Sequence, residues 1–190
     1  AVNKKLFDWR TSLYSVWARL TPEKICSSSQ VALVELLQTG CTTTADHHYI
    51  FSNQLENAID IQVEAAKAIG CRVVLARGSM SLSRKHGGLP PSQTVQCAKT
   101  IMEDSERVIK RFHDRGSGAL VQIALAPCSP FSVSQDLMKS TAELAKELDV
   151  RLHTHLAETE DEETFCLQRF GLRPVEYLEQ AGWLNSGTWV

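Results

Sequence analysis

Apolar side chains recur along this chain with two periods, which alternate from one segment to the next. Segments with apolar residues at every third or fourth position predict amphipathic helices. They cover about residues 6–17, 21–40, 53–70, 94–115, 134–148, 159–171 and 174–181. The segments between them are short and rich in β-branched or apolar residues, which are favoured in strands. They cover residues 41–46, 71–76, 119–126 and 150–155, and a further apolar run begins at residue 188.

Several predicted helices begin at a recognisable capping residue. Thr21 and Ser134 each offer a side-chain oxygen to the free backbone N–H groups of a first helical turn. Asn53 is expected to do the same for the helix that follows the first strand. Thr159 with Glu162 has the spacing of a capping box, in which both side chains bond backbone N–H groups. These signals place the helix starts independently of the apolar period.

The alternation of strand and helix predicts right-handed crossovers and a parallel sheet. A doubly wound sheet and a (β/α)₈ barrel both have this pattern. The first strand is not followed by the glycine pattern of dinucleotide-binding sheets. The sequence therefore argues against a doubly wound sheet that binds a dinucleotide. A complete barrel needs about 250 residues, and four strand–helix units with the start of a fifth strand are visible here. We therefore expect residues 1–190 to be an internal fragment of a longer chain.

The segment from Arg151 to Thr159 is the richest in chemistry. His153 and His155 alternate with apolar or small neighbours in a strand-like run, and Glu158 follows three residues later. In a barrel of parallel strands, catalytic groups collect at this carboxyl end. A neutral imidazole can hold a divalent metal there, and a nearby carboxylate can move protons to and from water. The alternative is a polar strand end that is solvated in a loop.

The other predicted strands also end in polar groups. The first ends in residues 46–48, the second in Arg77, and the third in Cys128 and Ser129 between two prolines. Each has a structural alternative. Residues 46–48 could cap a loop or lie at the surface, Arg77 could pair with a carboxylate, the Cys128–Ser129 pair could be a simple turn, and His153 could be a core histidine. We expect Arg77, Cys128, Ser129 and His153 to contact a substrate.

The composition narrows the class of protein. The chain has 190 residues, of which 43% are hydrophobic and 22% charged, and its formal net charge is -2. These values are ordinary for a globular protein and give no basic footprint for nucleic acid or an acidic membrane surface. The six cysteines are scattered, so they are expected to be reduced rather than paired in disulfides. We expect a cytoplasmic location, and a homo-oligomer is among the assemblies that the sequence allows.

Four segments resemble the amidohydrolase superfamily, and within it the branch of 8-oxoguanine deaminases and s-triazine hydrolases. They are residues 40–49 (GCTTTADHHY), 76–80 (ARGSM), 126–132 (APCSPFS) and 153–159 (HTHLAET). The resemblance implies an α/β fold, a partial TIM-like (β/α)₈ barrel comprising roughly strands 2 to 6 of a metal-dependent hydrolase. Residues 1–190 would then be an internal fragment of one such barrel domain.

The resemblance also implies a site. It assigns His155 as the metal ligand of the fifth barrel strand and Glu158 as the proton shuttle. One divalent ion is implied, zinc with iron as the alternative, and its other ligands would lie before Ala1 and after Val190. The implied activity is hydrolytic deamination of an aminated purine such as 8-oxoguanine. The alternatives are an s-triazine hydrolase and a catalytically inactive fragment. The implied partner is a small heterocycle, with no nucleic acid and no membrane.

Overall fold

The computed structural model describes residues 3–52 and 54–190. It contains one sheet of five parallel strands. They are β1 (Thr43–His48), β2 (Arg72–Ser79), β3 (Val121–Pro127), β4 (Leu152–His153) and β5 (Thr188–Trp189). The helices are α1 (Leu6–Trp17), α2 (Pro22–Gln38), α3 (Ala58–Ile69), α4 (Ala98–Phe112), α5 (Gln135–Glu147), α6 (Glu160–Phe170) and α7 (Pro174–Gln180).

The strand order decides between the two predicted sheet types. The five strands lie side by side in their order along the chain, β1 to β5. A doubly wound sheet reverses its order at a switch point, and the described strands show no reversal. The pairing is long between β1, β2 and β3 and shrinks to the single pair Leu125 with Leu152 between β3 and β4. The predicted α/β partial barrel is therefore confirmed.

The two faces of the sheet bury side chains of different size. On the outer face, large residues such as Leu75 and Ile123 pack against the helices in one extensive core. On the inner face, Ala76, Ala124 and Ala126 form a separate small cluster. Because neighbouring side chains along a strand point to opposite faces, this difference follows from the alternation in β2 and β3. The small inner residues leave room for larger rings from the adjoining strands.

The predicted caps were partly correct. The Thr21 side chain accepts a bond from the Lys24 N–H, and the Ser134 side chain caps α5 in the same way. The predicted capping residue Asn53 lies outside the described residues. The predicted capping box at α6 is wrong, because the Thr159 side chain makes no capping bond. The carboxylate of Glu162 instead reaches back beyond Thr159 to two earlier backbone N–H groups.

Helix α1 packs near the carboxyl ends of the strands. Its Phe7 ring lies 4.9 Å from the ring of Phe131, which follows β3. Tyr14 belongs to a small buried cluster with Met80 and Cys128, which follow β2 and β3. This packing brings the first helix of the chain beside residues more than a hundred positions away. Within the described ranges, none of the helices combines the length and the apolar character needed to cross a bilayer.

Candidate active site at the strand ends

Three imidazole rings meet on the inner side of the sheet, and we refer to His47, His153 and His155 as the histidine cluster. The rings of His47 and His155 are stacked, with centroids 4.7 Å apart and planes inclined by 18°. The ring of His153 lies 4.8 Å from that of His47. Trp189 of β5 stacks on His153 at the same centroid distance. The inner alanines of β2 and β3 leave this space open.

The ring of His155 is oriented by the turn that follows β3. Its Nδ1 donates a hydrogen bond of 2.7 Å to the carbonyl oxygen of Cys128. A proton on Nδ1 leaves a lone pair on Nε2, and metal-binding histidines are commonly oriented through their second nitrogen in this way. Burial lowers the pKa of His155, but its contacts with Cys128 outweigh burial and raise the pKa above its ordinary value. The Nδ1–H bond leaves Nε2 free, so the orientation of the ring fits a divalent metal, and the raised pKa means that a bound metal must displace a proton from the ring.

His47 was given no site role in the sequence prediction, yet it lies at the centre of the cluster. Its Nε2 donates to the carbonyl oxygen of Ala126 at 2.9 Å. Its Nδ1 is buried and has no hydrogen-bond partner among the described residues. Burial, and then the charge of His155, lower the pKa of His47 to about 3. His47 therefore presents a neutral, unused acceptor to the interior of the barrel.

His153 faces the same interior, as expected because it lies two residues before His155 and alternate side chains along a strand point to the same face. Its Nδ1 donates to the carbonyl oxygen of Trp189 at 3.1 Å. Burial lowers its pKa, so the ring is held in its neutral form. A neutral ring stacked on an indole forms one wall of the cluster.

Glu158 lies beside the cluster on the loop between β4 and α6. Its side chain is 28% exposed. The carboxylate of Glu162, which is fully buried, holds the loop. It accepts hydrogen bonds from the backbone N–H groups of Ala157 and Glu158 at 3.1 and 2.8 Å. Ala157 adopts a left-handed backbone with φ of 54°, a strained conformation for a residue with a side chain. The backbone of the loop is therefore held in a defined shape, and the Glu158 side chain is partly open to solvent.

A buried arginine from α1 contacts this carboxylate. Arg10 is 2% exposed, its Nη2 lies 3.5 Å from Glu158 Oε2, and its Nη1 donates to Cys128 Sγ at 3.1 Å. Burial raises the pKa of the Cys128 thiol, but His155 and Arg10 outweigh it and lower the pKa overall. Arg10 was missed in the sequence analysis. A signal was available in the sequence, because Arg10 lies four residues after Leu6 and four before Tyr14 and so shares the apolar face of α1. Arginine is rarely buried without a partner, so an arginine on that face indicates a buried partner.

The side chains of Arg77 and Ser129 are each bonded to groups outside the histidine cluster. Arg77 Nε donates to Asp104 of α4 at 3.0 Å, so the carboxylate pairing named as its alternative is what the structure has. Ser129 is fully buried, and its hydroxyl shares a hydrogen bond of 2.7 Å with that of Ser132. Both side chains have these hydrogen bonds within the protein, and their predicted contacts with a substrate stay predictions. Cys128 and His153 do lie at the cluster.

The described residues do not form a complete metal site by themselves. Across residues 3–52 and 54–190, no group of three or more histidine, cysteine or carboxylate side chains is arranged to hold a metal ion. His155 can supply one ligand with a defined lone pair, and further ligands are needed. A cavity of about 330 Å³ lies elsewhere, between α2 and the outer face of β1, and its lining includes Asp46 and Gln62 but no member of the histidine cluster.

The chain is similar to proteins of one family along its whole length. The family model described as Amidohydrolase family matches residues 2–190. An 8-oxoguanine deaminase of Pseudomonas aeruginosa is 63% identical over 189 residues, which are 100% of this chain and 42% of that protein. A hydroxydechloroatrazine ethylaminohydrolase of Pseudomonas sp. strain ADP is 33% identical over 96% of this chain and 38% of its own length.

Solved structures match the fold. A triazine hydrolase variant superposes with a TM-score of 0.94 at 28% identity, over 98% of this chain and 42% of the other. An atrazine chlorohydrolase of Arthrobacter aurescens TC1, solved with zinc, superposes with a TM-score of 0.86 at 30% identity, over 95% of this chain and 40% of the other. The chain thus spans about two fifths of the length of the curated relatives it matches.

Proposed function

The chain belongs to the amidohydrolase family, and from this premise we propose that the whole protein is a metal-dependent hydrolytic deaminase of an aminated purine such as 8-oxoguanine. The observation that carries the proposal is the arrangement of His155 and Glu158. One imidazole is oriented with a free Nε2, and a partly exposed carboxylate lies on the loop immediately after it. The 63% identity to an 8-oxoguanine deaminase supports the choice of substrate.

We propose that His155 Nε2 is one ligand of a single divalent ion. Zinc is the first choice because a related structure was solved with it, and iron is the alternative. When bound, such an ion supplies Lewis acidity, which makes water acidic enough to act as a nucleophile near neutral pH. The carbonyl of Cys128 keeps the His155 proton on Nδ1 and so keeps Nε2 available for the ion.

The proposed role of Glu158 is proton transfer. Its carboxylate accepts a proton from the attacking water and delivers it to a ring nitrogen of the substrate, and a second transfer protonates the departing amine. A C–O bond forms at the ring carbon, the C–N bond breaks, and ammonia leaves. The exposed fraction of the Glu158 side chain gives it the freedom to serve both positions, while Glu162 fixes the backbone from which it moves.

Aromatic and imidazole rings around the cluster suit a flat heterocycle. His47, His153, Tyr49 and Trp189 lie with centroids 4.8 to 5.2 Å apart along the cluster. Stacked and edge-on rings at these distances attract one another and a planar ligand. We propose that His153 and the Cys128 turn contact the substrate edge. Substrate contacts of Arg77 and Ser129 stay predictions from the sequence, since both side chains are bonded within the protein.

An s-triazine hydrolase is the second candidate. The observation in its favour is the TM-score of 0.94 with a triazine hydrolase variant. The same two proton transfers at Glu158 would serve an alkylamine leaving group, whereas chloride would leave as the anion and would need only the removal of protons from the attacking water. The identity of 33% to the ethylaminohydrolase, against 63% to the deaminase, favours the purine.

A substrate panel separates these candidates. The complete protein would be loaded with zinc and assayed with 8-oxoguanine, guanine, isoguanine and hydroxylated triazines, with release of ammonia or alkylamine as the readout. We expect kcat/KM to be highest for 8-oxoguanine. Preferential turnover of a triazine would favour the second candidate. Absence of turnover with every member of the panel at full metal content would contradict both.

A further inference from the structure

Arg10 is a buried cation at the strand ends with one carboxylate in contact. Its side chain is 3% exposed, and a buried charge is stable only when partners replace the water it has lost. Burial acts against the charge, but Cys128, Tyr49 and Glu158 outweigh burial, and the pKa of the guanidinium is raised. Arg10 is therefore a permanent positive charge at this position. Its only carboxylate partner in the described part of the chain is Glu158.

The guanidinium connects the two residues assigned to the reaction. Nη2 lies 3.5 Å from Glu158 Oε2, which is a direct contact with the proposed proton shuttle. Nη1 donates to Cys128 Sγ at 3.1 Å. The carbonyl oxygen of Cys128 in turn accepts the Nδ1–H of His155 at 2.7 Å and its backbone N–H at 3.2 Å. One side chain of α1 thus reaches the carboxylate directly and the imidazole through one residue.

Aromatic rings restrict the guanidinium to this place. Its central carbon lies 5.2 Å from the ring centre of Phe131 and 5.7 Å from that of Tyr49. Both distances allow attraction between a cation and a ring face. Phe131 in turn contacts Phe7 of α1, so the ring and the arginine are held by the same helix. The position of Arg10 is fixed by packing and does not depend on Glu158 alone.

We propose that Arg10 is a positioning residue that sets the orientation of the Glu158 carboxylate and of the Cys128 turn that holds His155. The inference rests on the proposed function, because it assigns Arg10 a role in that reaction. The fork of the guanidinium serves two acceptors at once, which the single ammonium of a lysine cannot do in the same geometry. A purely structural role would instead affect folding and leave the turnover of the folded protein unchanged.

Kinetics of Arg10 variants in the complete zinc-loaded protein test the proposal. We expect Arg10→Ala to lower kcat by about 10²-fold, the effect of a misplaced reacting group, with less change in KM and with normal metal content. Arg10→Lys should recover part of the kcat, and added guanidinium ion should recover part of it in Arg10→Ala. The control is Arg111→Ala, which removes an arginine that pairs with Asp60 on the outer helices and should leave kcat unchanged.

A second readout does not require turnover. In the metal-free protein labelled with ¹⁵N-histidine, at a pH above the raised pKa of His155 so that the ring is neutral, we expect NMR to find His155 protonated on Nδ1 only. Arg10→Ala should yield a mixture of the two tautomers, whereas Arg111→Ala should not. If Arg10→Ala does not fold, Arg10→Lys decides, with a fall in kcat of about tenfold or more supporting the proposal.

Three results would overturn the proposal. The first is a kcat of Arg10→Ala or Arg10→Lys equal to that of Arg111→Ala, and the second is a fall in kcat that is fully explained by a lower metal content. The third is an unchanged His155 tautomer in the folded Arg10→Ala protein. Failure of the proposed function is a separate result. It would appear as absence of turnover in the wild-type protein, and the tautomer measurement would still decide the role of Arg10.

Discussion

Two arginines are buried almost equally in this chain, and their surroundings differ. Arg77 is 1% exposed and Arg10 is 2% exposed, and each lies over a phenylalanine ring. Arg77 faces the helix layer, where it donates to Asp104 at 3.0 Å and to Gln96 at 2.9 Å. Arg10 lies at the strand ends, where its carboxylate partner is 3.5 Å away and its Nε has no partner among the described residues.

The difference separates a structural ion pair from an arrangement suited to chemistry. Asp104, the partner of Arg77, also accepts bonds from Arg107, which pairs with Asp60, so the outer charges form a network between α3 and α4. Burial lowers the pKa of Arg77 to about 10, and Asp104 acts against that shift. The partner of Arg10, Glu158, has a side chain that is 28% exposed to solvent and lies 3.5 Å from the guanidinium. A tight network stabilises a fold, whereas a carboxylate that must exchange protons needs a looser partner.

The largest stability effect is expected in the outer network. Asp104→Asn should lower the free energy of unfolding by about 3 kcal/mol, because it leaves the buried charge of Arg77 without a counter-charge. Urea denaturation of the complete protein measures the change. Glu103→Gln is the control on the same helix, since the Glu103–Lys99 pair is exposed and 3.8 Å long. Its effect should stay below about 0.5 kcal/mol, and equal effects of the two changes would contradict the assignment.

The matched change beside Arg10 should affect stability less. Glu158→Gln is expected to lower the free energy of unfolding by less than about 1 kcal/mol, because the contact is long and the carboxylate is partly in water. The same denaturation experiment provides the number. A loss as large as that of Asp104→Asn would mean that the two arginines play the same structural role, and the comparison would fail.

The smallest effect concerns pH and the helix layer. Burial lowers the pKa of His113, the residue that ends α4. A histidine whose pKa is lowered on folding is held neutral, so its contribution to stability is present above its unfolded pKa of about 6.5 and is lost as pH falls below it. His113→Gln should therefore reduce the loss of unfolding free energy between pH 7 and pH 5, by less than about 1 kcal/mol. If the unfolding free energy of His113→Gln changed with pH as it does in the unsubstituted protein, His113 would not be held neutral by folding.

The elements of the fold were largely accessible from the sequence. The apolar period and the caps at Thr21 and Ser134 gave helices close to α2 and α5. The strand runs were found because β-branched and apolar residues cluster in them. The capping box at Thr159 was wrong because the Glu162 carboxylate satisfies the strained loop before the helix instead. Local patterns identify a helix start, but not which of several free N–H groups a side chain will bind.

The site was accessible only in part. His155 and Glu158 stood out because they lie close together in the chain, and His153 shared their strand. Arg10 was missed, and His47 was named among the strand-end residues 46–48 without a site role, since their contacts join residues 118 and 79 positions apart. Such contacts depend on how the sheet curves and on where α1 packs, which no local pattern specifies. Arg77 was placed at the correct strand end, but the face of the sheet that its side chain occupies follows from the register of β2.

The central claim is that Glu158 transfers protons beside a metal held in part by His155. Its most direct test is ammonia release from 8-oxoguanine by the complete protein and by Glu158→Gln, with zinc content measured on the same samples. We expect the variant to keep wild-type zinc content and to release ammonia about 10³-fold more slowly. Turnover at the wild-type rate in a zinc-loaded Glu158→Gln protein would contradict the account.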